Sequence, residues 1–189
     1  MQVTTKTHLP QGEMRQILRD CINMELVAVL CDIRSLHNVA SIFRTADGAG
    51  VNKIFLCGIT PTPLDRFKKV RQPFAKVALG AESFLAWEKK SSVTECVHEL
   101  KKDGYAIIAV EQTPASKPYD QTLSAIAAAN PKLALVIGNE VNGLKPAIIK
   151  LADHVIEIPM LGRKESLNVA VAFGVVAFET RKNIKPTPQ

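Results

Sequence analysis

Five short apolar runs constrain this chain more than any other feature: Leu26 to Cys31, Ile54 to Cys57, Tyr105 to Val110, Leu133 to Ile137 and Val155 to Ile158. Each is too short for a buried helix, and each is apolar at successive positions, so both of its faces must meet apolar neighbours. That is the pattern of a strand inside a parallel sheet. Helix-like segments lie between the runs, His37 to Gly48, Val93 to Lys102, Gln121 to Ala129 and Lys145 to Ala152. Strand and helix in alternation predict an α/β domain, a mostly parallel sheet with helices on both faces. An opening helix is expected near Gly12 to Cys21 and a long closing helix near Ser166 to Arg181. The expected division is a helical extension over residues 1–24, one folded domain over 25–182 and a frayed, proline-bearing tail over 183–189. The stretch from Thr60 to Ser92 is the least regular.

Hydrophobic residues make up 47% of the 189 positions, which excludes disorder as the global state. No run approaches the ~20 apolar residues of a membrane span, and the start lacks the apolar centre of a secretory signal. A cytoplasmic protein with no membrane partner is expected. Cys21, Cys31, Cys57 and Cys96 form no C-x-x-C pair, and His8, His37, His98 and His154 show no ligand spacing. The cysteines read as reduced packing residues, and no metal is expected. Net charge is +6, which favours an anionic partner. The segment Asp65 to Lys76 holds five cations and one anion, and so carries +4 of it. Arg66, Lys68, Lys69 and Arg71, interleaved with the exposed-looking rings of Phe67 and Phe74, suit nucleic acid, where charges take phosphates and rings stack on bases. A plain solvated loop would carry the same composition.

Three polar islands follow strands. In the first, Asn38 to Gly50, a 100° step per residue puts Val39, Ile42, Phe43 and Ala46 on one face, with Asn38, Ser41, Arg44 and Thr45 on an opposite arc of roughly 120°. It follows the carboxyl end of the first strand, where open α/β sheets bind ligands. In the second, Leu133 to Leu144, a buried strand runs into Gly138, whose missing side chain allows close approach to the backbone, either by another molecule or within a turn. Glu140 follows. In the third, Ile158 to Ala172, Ser166 is placed to cap the closing helix. That helix is apolar nearly all round and expected to be buried, which makes Asn168 a buried amide in need of partners, in a site or in a capping network. Neither G-K-[ST] nor G-x-G-x-x-G occurs, which disfavours a phosphate loop and a Rossmann-type oxidoreductase.

Asn38 with Arg44, then Ile137-Gly138-Asn139-Glu140-Val141-Asn142-Gly143-Leu144, then Ile158-Pro159-Met160 with Ser166-Leu167-Asn168-Val169, resemble in order and spacing the three motifs of the SpoU/TrmH-type RNA ribose methyltransferases of the SPOUT superfamily. The resemblance spans about residues 25 to 181. It implies a carboxyl-terminal deep trefoil knot, a feature nearly absent from proteins at large and one that an unknotted reading of the pattern would not contain. It further implies S-adenosylmethionine as cofactor, a homodimer with the site completed across the interface, and methyl transfer to a ribose 2′-hydroxyl. By position, Gly138, Ile158, Met160 and Leu167 would hold the cofactor. Arg44 would be the central catalytic residue, with Asn38, Glu140, Ser166 and Asn168 positioning the ribose or supporting Arg44. Ala170 stands where many relatives have a second serine. With no long segment before Leu26, substrate selection would rest on the basic loop, the short opening helix and the dimer surface, leaning toward tRNA over rRNA. A catalytically inactive RNA-binding protein that keeps the knotted fold is the alternative, and retention of Arg44, Glu140, Ser166 and Asn168 weighs against it.

Overall fold

Strands that are apolar on both faces require helices on both sides, and this arrangement is found in the structure, a computed structural model that describes residues 24–182. The expected opening helix and the tail lie outside the described residues. The strands are β1 (Glu25–Cys31), β2 (Lys53–Cys57), β3 (Ala86–Lys90), β4 (Ala106–Val110), β5 (Lys117–Pro118), β6 (Lys132–Ile137) and β7 (His154–Glu157). They form one sheet in the order β3-β2-β1-β6-β4-β7-β5, and every adjacent pair is parallel. The helices are α1 (Leu36–Gly48), α2 (Gln72–Ala78), α3 (Ala81–Phe84), α4 (Val93–Lys102), α5 (Tyr119–Ala129), α6 (Pro146–Ile149) and α7 (Val169–Arg181).

Side-chain alternation along the strands divides the core in two. Leu26, Ala28, Leu30, Ile54, Leu56, Leu133, Leu135 and Ile137 face α1, α2, α3, α5 and α7. Val27, Val29, Phe55, Ile107, Ala109, Ala134 and Val136 face α4 and the α6 region, where Cys31, Cys57 and Cys96 are buried free thiols. Burial pushes the Cys31 thiol up beyond the ordinary range, with the nearby Cys96 and Asp32 acting in the same direction. Among the described residues no cluster of three His, Cys, Asp or Glu could hold a metal ion, and no helix is long and apolar enough to cross a membrane.

β2 and β3 extend to one side of β1, whereas β6, placed next to β1 on the other side, arrives only after β4 has formed beyond it. The direction in which strands are added to the sheet therefore switches between β1 and β6. Such a switch point is the usual place for a ligand on an open α/β sheet, and here the segment after β1 is joined to the β6 loop, the Arg34 amide and the Asn38 side chain both donating to Glu140. Thr60 helps fix the rim: it is buried, its hydroxyl donates to the Leu30 carbonyl (3.0 Å) and accepts from the Ile33 amide (3.1 Å), so the loops after β1 and β2 are tied together. Arg181 closes the far end of α7 by donating to the carbonyls of Met24, Ala49 and Gly50 (2.8, 3.2 and 2.6 Å), and burial pulls its pKa down to about 10.

Four expectations require correction. β3 lies in the stretch that looked irregular, because an edge strand carrying Glu88, Lys89 and Lys90 has no continuous apolar run. Phe74 is not exposed: it is 0% accessible on α2 and packs edge-on against Phe43 of α1, with ring centroids 5.2 Å apart. α7 starts at Val169 instead of Ser166, and its cap is Asn168, whose Oδ1 accepts from the Ala170 amide at 2.9 Å. Nor is α7 buried all round, since Val171 and Phe178 are about half exposed.

The Phe43–Phe74 contact is what fixes α2, and the basic loop before it, to the helix bearing Asn38 and Arg44. Phe74→Ala is expected to cost about 3–5 kcal/mol in denaturant unfolding, the usual loss for a fully buried phenylalanine. A loss below about 1 kcal/mol would contradict this role.

Candidate active site

The site is assembled from loops at the carboxyl edge of the sheet. Ser35 caps α1 by accepting from the Asn38 amide at 3.2 Å, which sets Asn38 in the first helical turn with its side chain directed at the β6 loop. Asn38 Nδ2 donates to Glu140 Oε1 (2.8 Å), and Asn38 Oδ1 accepts from Asn168 Nδ2 (3.1 Å). The Arg34 amide donates to Glu140 Oε2 at 3.4 Å. Each side-chain amide is thus used in both senses. Protons point from the Ala170 amide to Asn168, from Asn168 to Asn38 and from Asn38 to the Glu140 carboxylate. Asn168 is exposed, contrary to expectation, and caps α7 while reaching Asn38.

Beside this chain lies a cleft walled by the loops after β4, β6 and β7. Gly138, Ile158, Met160 and Leu167, the four residues expected to hold a cofactor, all line it, together with Glu140 and Ser166. Glu111 and Glu157 line it as well, and among the described residues no lysine or arginine does. The cleft therefore combines apolar walls with carboxylates, which suits a cationic ligand and disfavours a phosphate.

Gly138 also meets a requirement of the loop itself. A Cβ there would lie 2.2 Å from the Gly143 carbonyl carbon, so the space is filled by the same loop folding back on itself. Asn139 supports the turn, its Oδ1 accepting from the Val141 and Asn142 amides at 2.9 and 2.8 Å. Gly143 has φ +60°, and a Cβ on it would collide with the Glu111 carboxylate. Glu111 Oε2 accepts from the Leu144 amide at 2.6 Å. Its neighbour Gln112 donates from Nε2 to the Glu165 carbonyl at 2.9 Å. Glu111 and Gln112 thus staple the β4 loop to both other walls, and neither was expected from the sequence. The available signal was a carboxylate immediately after the β4 run.

Arg44 is not joined to this network. It is exposed on α1 and makes no hydrogen bond or ion pair among the described residues, and it does not line the cleft. Ser166 is exposed at the cleft wall. Arg66, Lys68, Lys69 and Arg71 are all exposed on the loop after β2, at the same edge of the sheet.

Partial burial favours the neutral form of Glu140, but hydrogen bonds from Asn38 and from the backbone amides of Glu140, Arg34 and Ser35 outweigh it, so its pKa is lowered. The resulting stabilisation is present above the ordinary carboxylate pKa and is lost as pH falls through the depressed value. Titration of Glu140 by NMR is expected to show a pKa below the ordinary range that rises in Asn38→Ala. A value unaffected by that substitution would contradict the hydrogen-bond assignment.

The chain is similar to known proteins in sequence and in fold. Residues 25–178 match the profile of the SpoU rRNA Methylase family. The 23S rRNA (guanosine-2'-O-)-methyltransferase RlmB of Neisseria meningitidis serogroup B is 29% identical over 178 residues, which is 94% of this chain and 65% of that protein. The chain spans 61–65% of the length of such curated relatives. The A. aeolicus TrmH/SpoU tRNA modifying enzyme superposes with a TM-score of 0.72 at 25% identity, covering 91% of this chain and 82% of its own. The AdoMet-bound rRNA methyltransferase from Sinorhizobium meliloti does so with a TM-score of 0.74 at 27% identity, covering 87% and 59%. With the matching profile running from the first strand into the last helix, the chain belongs to the SpoU rRNA methylase family.

Proposed function

We propose that this protein transfers a methyl group from S-adenosylmethionine to a ribose 2′-hydroxyl of RNA. The observation that carries the reading is the juxtaposition of the Asn168–Asn38–Glu140 chain with a cleft lined by Gly138, Ile158, Met160, Leu167 and three glutamates. S-adenosylmethionine is cationic at sulfur and has no phosphate, so these walls fit it. Glu111, Glu140 and Glu157 offset its positive charge, and Ile158, Met160 and Leu167 cover its apolar parts. When bound, it supplies a methyl group already activated on a sulfonium, for in-line displacement by the hydroxyl oxygen. Membership of the family implies a knot, in which the carboxyl-terminal segment is threaded through a loop.

The chain's own residues supply alignment and charge. Glu140 is a weak base, because partial burial is outweighed by hydrogen bonds to its carboxylate that lower its pKa. It serves to fix Asn38, while Ser166 and Asn168 flank the position of the ribose. Arg44 is not a base, since guanidinium stays protonated. Its exposed head clamps the phosphate next to the target ribose and stabilises the developing alkoxide, with that phosphate or a neighbouring group accepting the hydroxyl proton. The active form is a homodimer, supported by the exposed Val171 and Phe178 on α7. It works in the cytoplasm. tRNA is favoured over rRNA because the A. aeolicus neighbour, matched over 82% of its own length, is a tRNA modifying enzyme.

The test is to map 2′-O-methylation across total RNA from cells with and without the protein. One or a few ribose sites, within tRNA, are expected to depend on it; no dependent site would refute the reading. Arg44→Lys is expected to lower turnover by roughly 100-fold with cofactor affinity kept, on the scale of losing one transition-state donor. Near-normal turnover would eliminate the clamp. Reversing Lys68, Lys69 and Arg71 to Glu is expected to weaken RNA binding and reduce its salt dependence while cofactor affinity is retained. Unchanged RNA affinity would reduce the cluster to a solvated loop.

A further inference from the structure

We propose that the hairpin over residues 62–71 is a preformed stacking platform for an unpaired RNA base, with Phe67 as the ring that receives it. The inference rests on the RNA-methylating reading above and adds the kind of RNA segment that is recognised. Its first support is that Phe67 and Phe74, equivalent in the sequence, have opposite fates. Phe74 is wholly buried against Phe43, whereas Phe67 is 66% exposed in the middle of the cations Arg66, Lys68, Lys69 and Arg71.

The second support is that the hairpin backbone carrying the exposed ring is held, not loose. Asp65 Oδ1 accepts from the Phe67 and Lys69 amides at 2.8 and 2.9 Å, and the Asp65 amide donates to the Lys69 carbonyl at 2.8 Å. Lys68 takes the left-handed conformation, φ +60°, that a tight reversal requires. Leu64 and Val70 form an antiparallel bridge below the turn, and the Arg71 amide and Nε donate to the Pro63 and Leu64 carbonyls at 2.9 and 3.2 Å. The ordering cost of the loop is therefore met before any partner arrives. Arg66 lies over one face of the ring, 4.7 Å from its centroid, and Phe67 remains largely exposed.

A protruding ring flanked by cations can do two separable things to RNA. The cations take phosphates of any strand, paired or not. The ring can stack only on a base whose face is free, and in an A-form duplex those faces are covered. The combination therefore discriminates loops and single strands from helices. The platform leaves the carboxyl end of β2, and through Phe74 it is fixed to α1, so it stands at the same edge of the sheet as Asn38.

The test compares the full-length protein with Phe67→Ala and Phe67→Trp, using fluorescence anisotropy with a short single-stranded RNA and with a blunt RNA duplex over a salt series. Wild type is expected to prefer the single strand. Phe67→Ala should weaken single-strand binding by roughly 5- to 100-fold, the range for one base–aromatic stack, with duplex affinity and salt slope unchanged, and Phe67→Trp should restore it. Unchanged single-strand affinity in Phe67→Ala, an equal loss on duplex, or loss of self-association in place of RNA binding would overturn the platform while leaving the methyltransferase reading intact. Wild-type protein that binds neither RNA would overturn both.

Discussion

The Asn38 side chain joins segments 102 and 130 residues away from it, donating to Glu140 and accepting from Asn168. Both of its contacts are required for the site to exist as one place, because β1, β6 and α7 reach the carboxyl edge of the sheet by separate routes. The chain of bonds is directional. It starts at a first-turn amide of α7 and ends on a carboxylate, so only one orientation of each side-chain amide satisfies it. Exposed hydrogen bonds contribute little net stability, about 0.5–1.5 kcal/mol each. What this network contributes is geometry: it fixes where the β6 loop and the start of α7 stand relative to the helix carrying Arg44.

Glu111 provides the complementary restraint from the other side of the cleft. Its carboxylate accepts the Leu144 amide and occupies the space under Gly143 that only a glycine leaves open. Tight closure at Gly138 and the left-handed Gly143 then give the β6 loop a single shape. A ligand entering the cleft meets walls already in place, which is how enzymes that depend mainly on alignment reduce the cost of binding.

The sheet is legible in the sequence wherever strands are buried on two faces, as in β1, β2, β4 and β6, because a short continuous apolar run fits almost nothing but a buried strand. β3 and β5 are concealed, since an edge position permits lysine and proline. The polar islands pointed to Asn38, Glu140 and Asn168, and in the structure Asn38 bonds both of the others. Glu111 offered only its place directly after the β4 run, because its role depends on contact with a loop 33 residues along the chain. Periodicity also placed the start of α7 at the wrong polar residue. Ser166 and Asn168 are both good caps, and the choice between them is made by Asn38, which a local reading cannot see. Phe74 shows the same limit. Its burial depends on Phe43 across a helix pair, so it could not be told from Phe67 by composition.

Three loops and one helix start form a single cleft, and its carboxylates and apolar walls suit a cationic methyl donor. A crystal structure of the protein soaked with S-adenosylmethionine tests this most directly. The ligand is expected between the Gly138 loop and the Ile158–Leu167 segment, on the side of Asn38 and Glu140. Density instead on the opposite side of the β6 loop, in the cavity lined by Cys31, Ser92, Asn142 and Lys145, would contradict it.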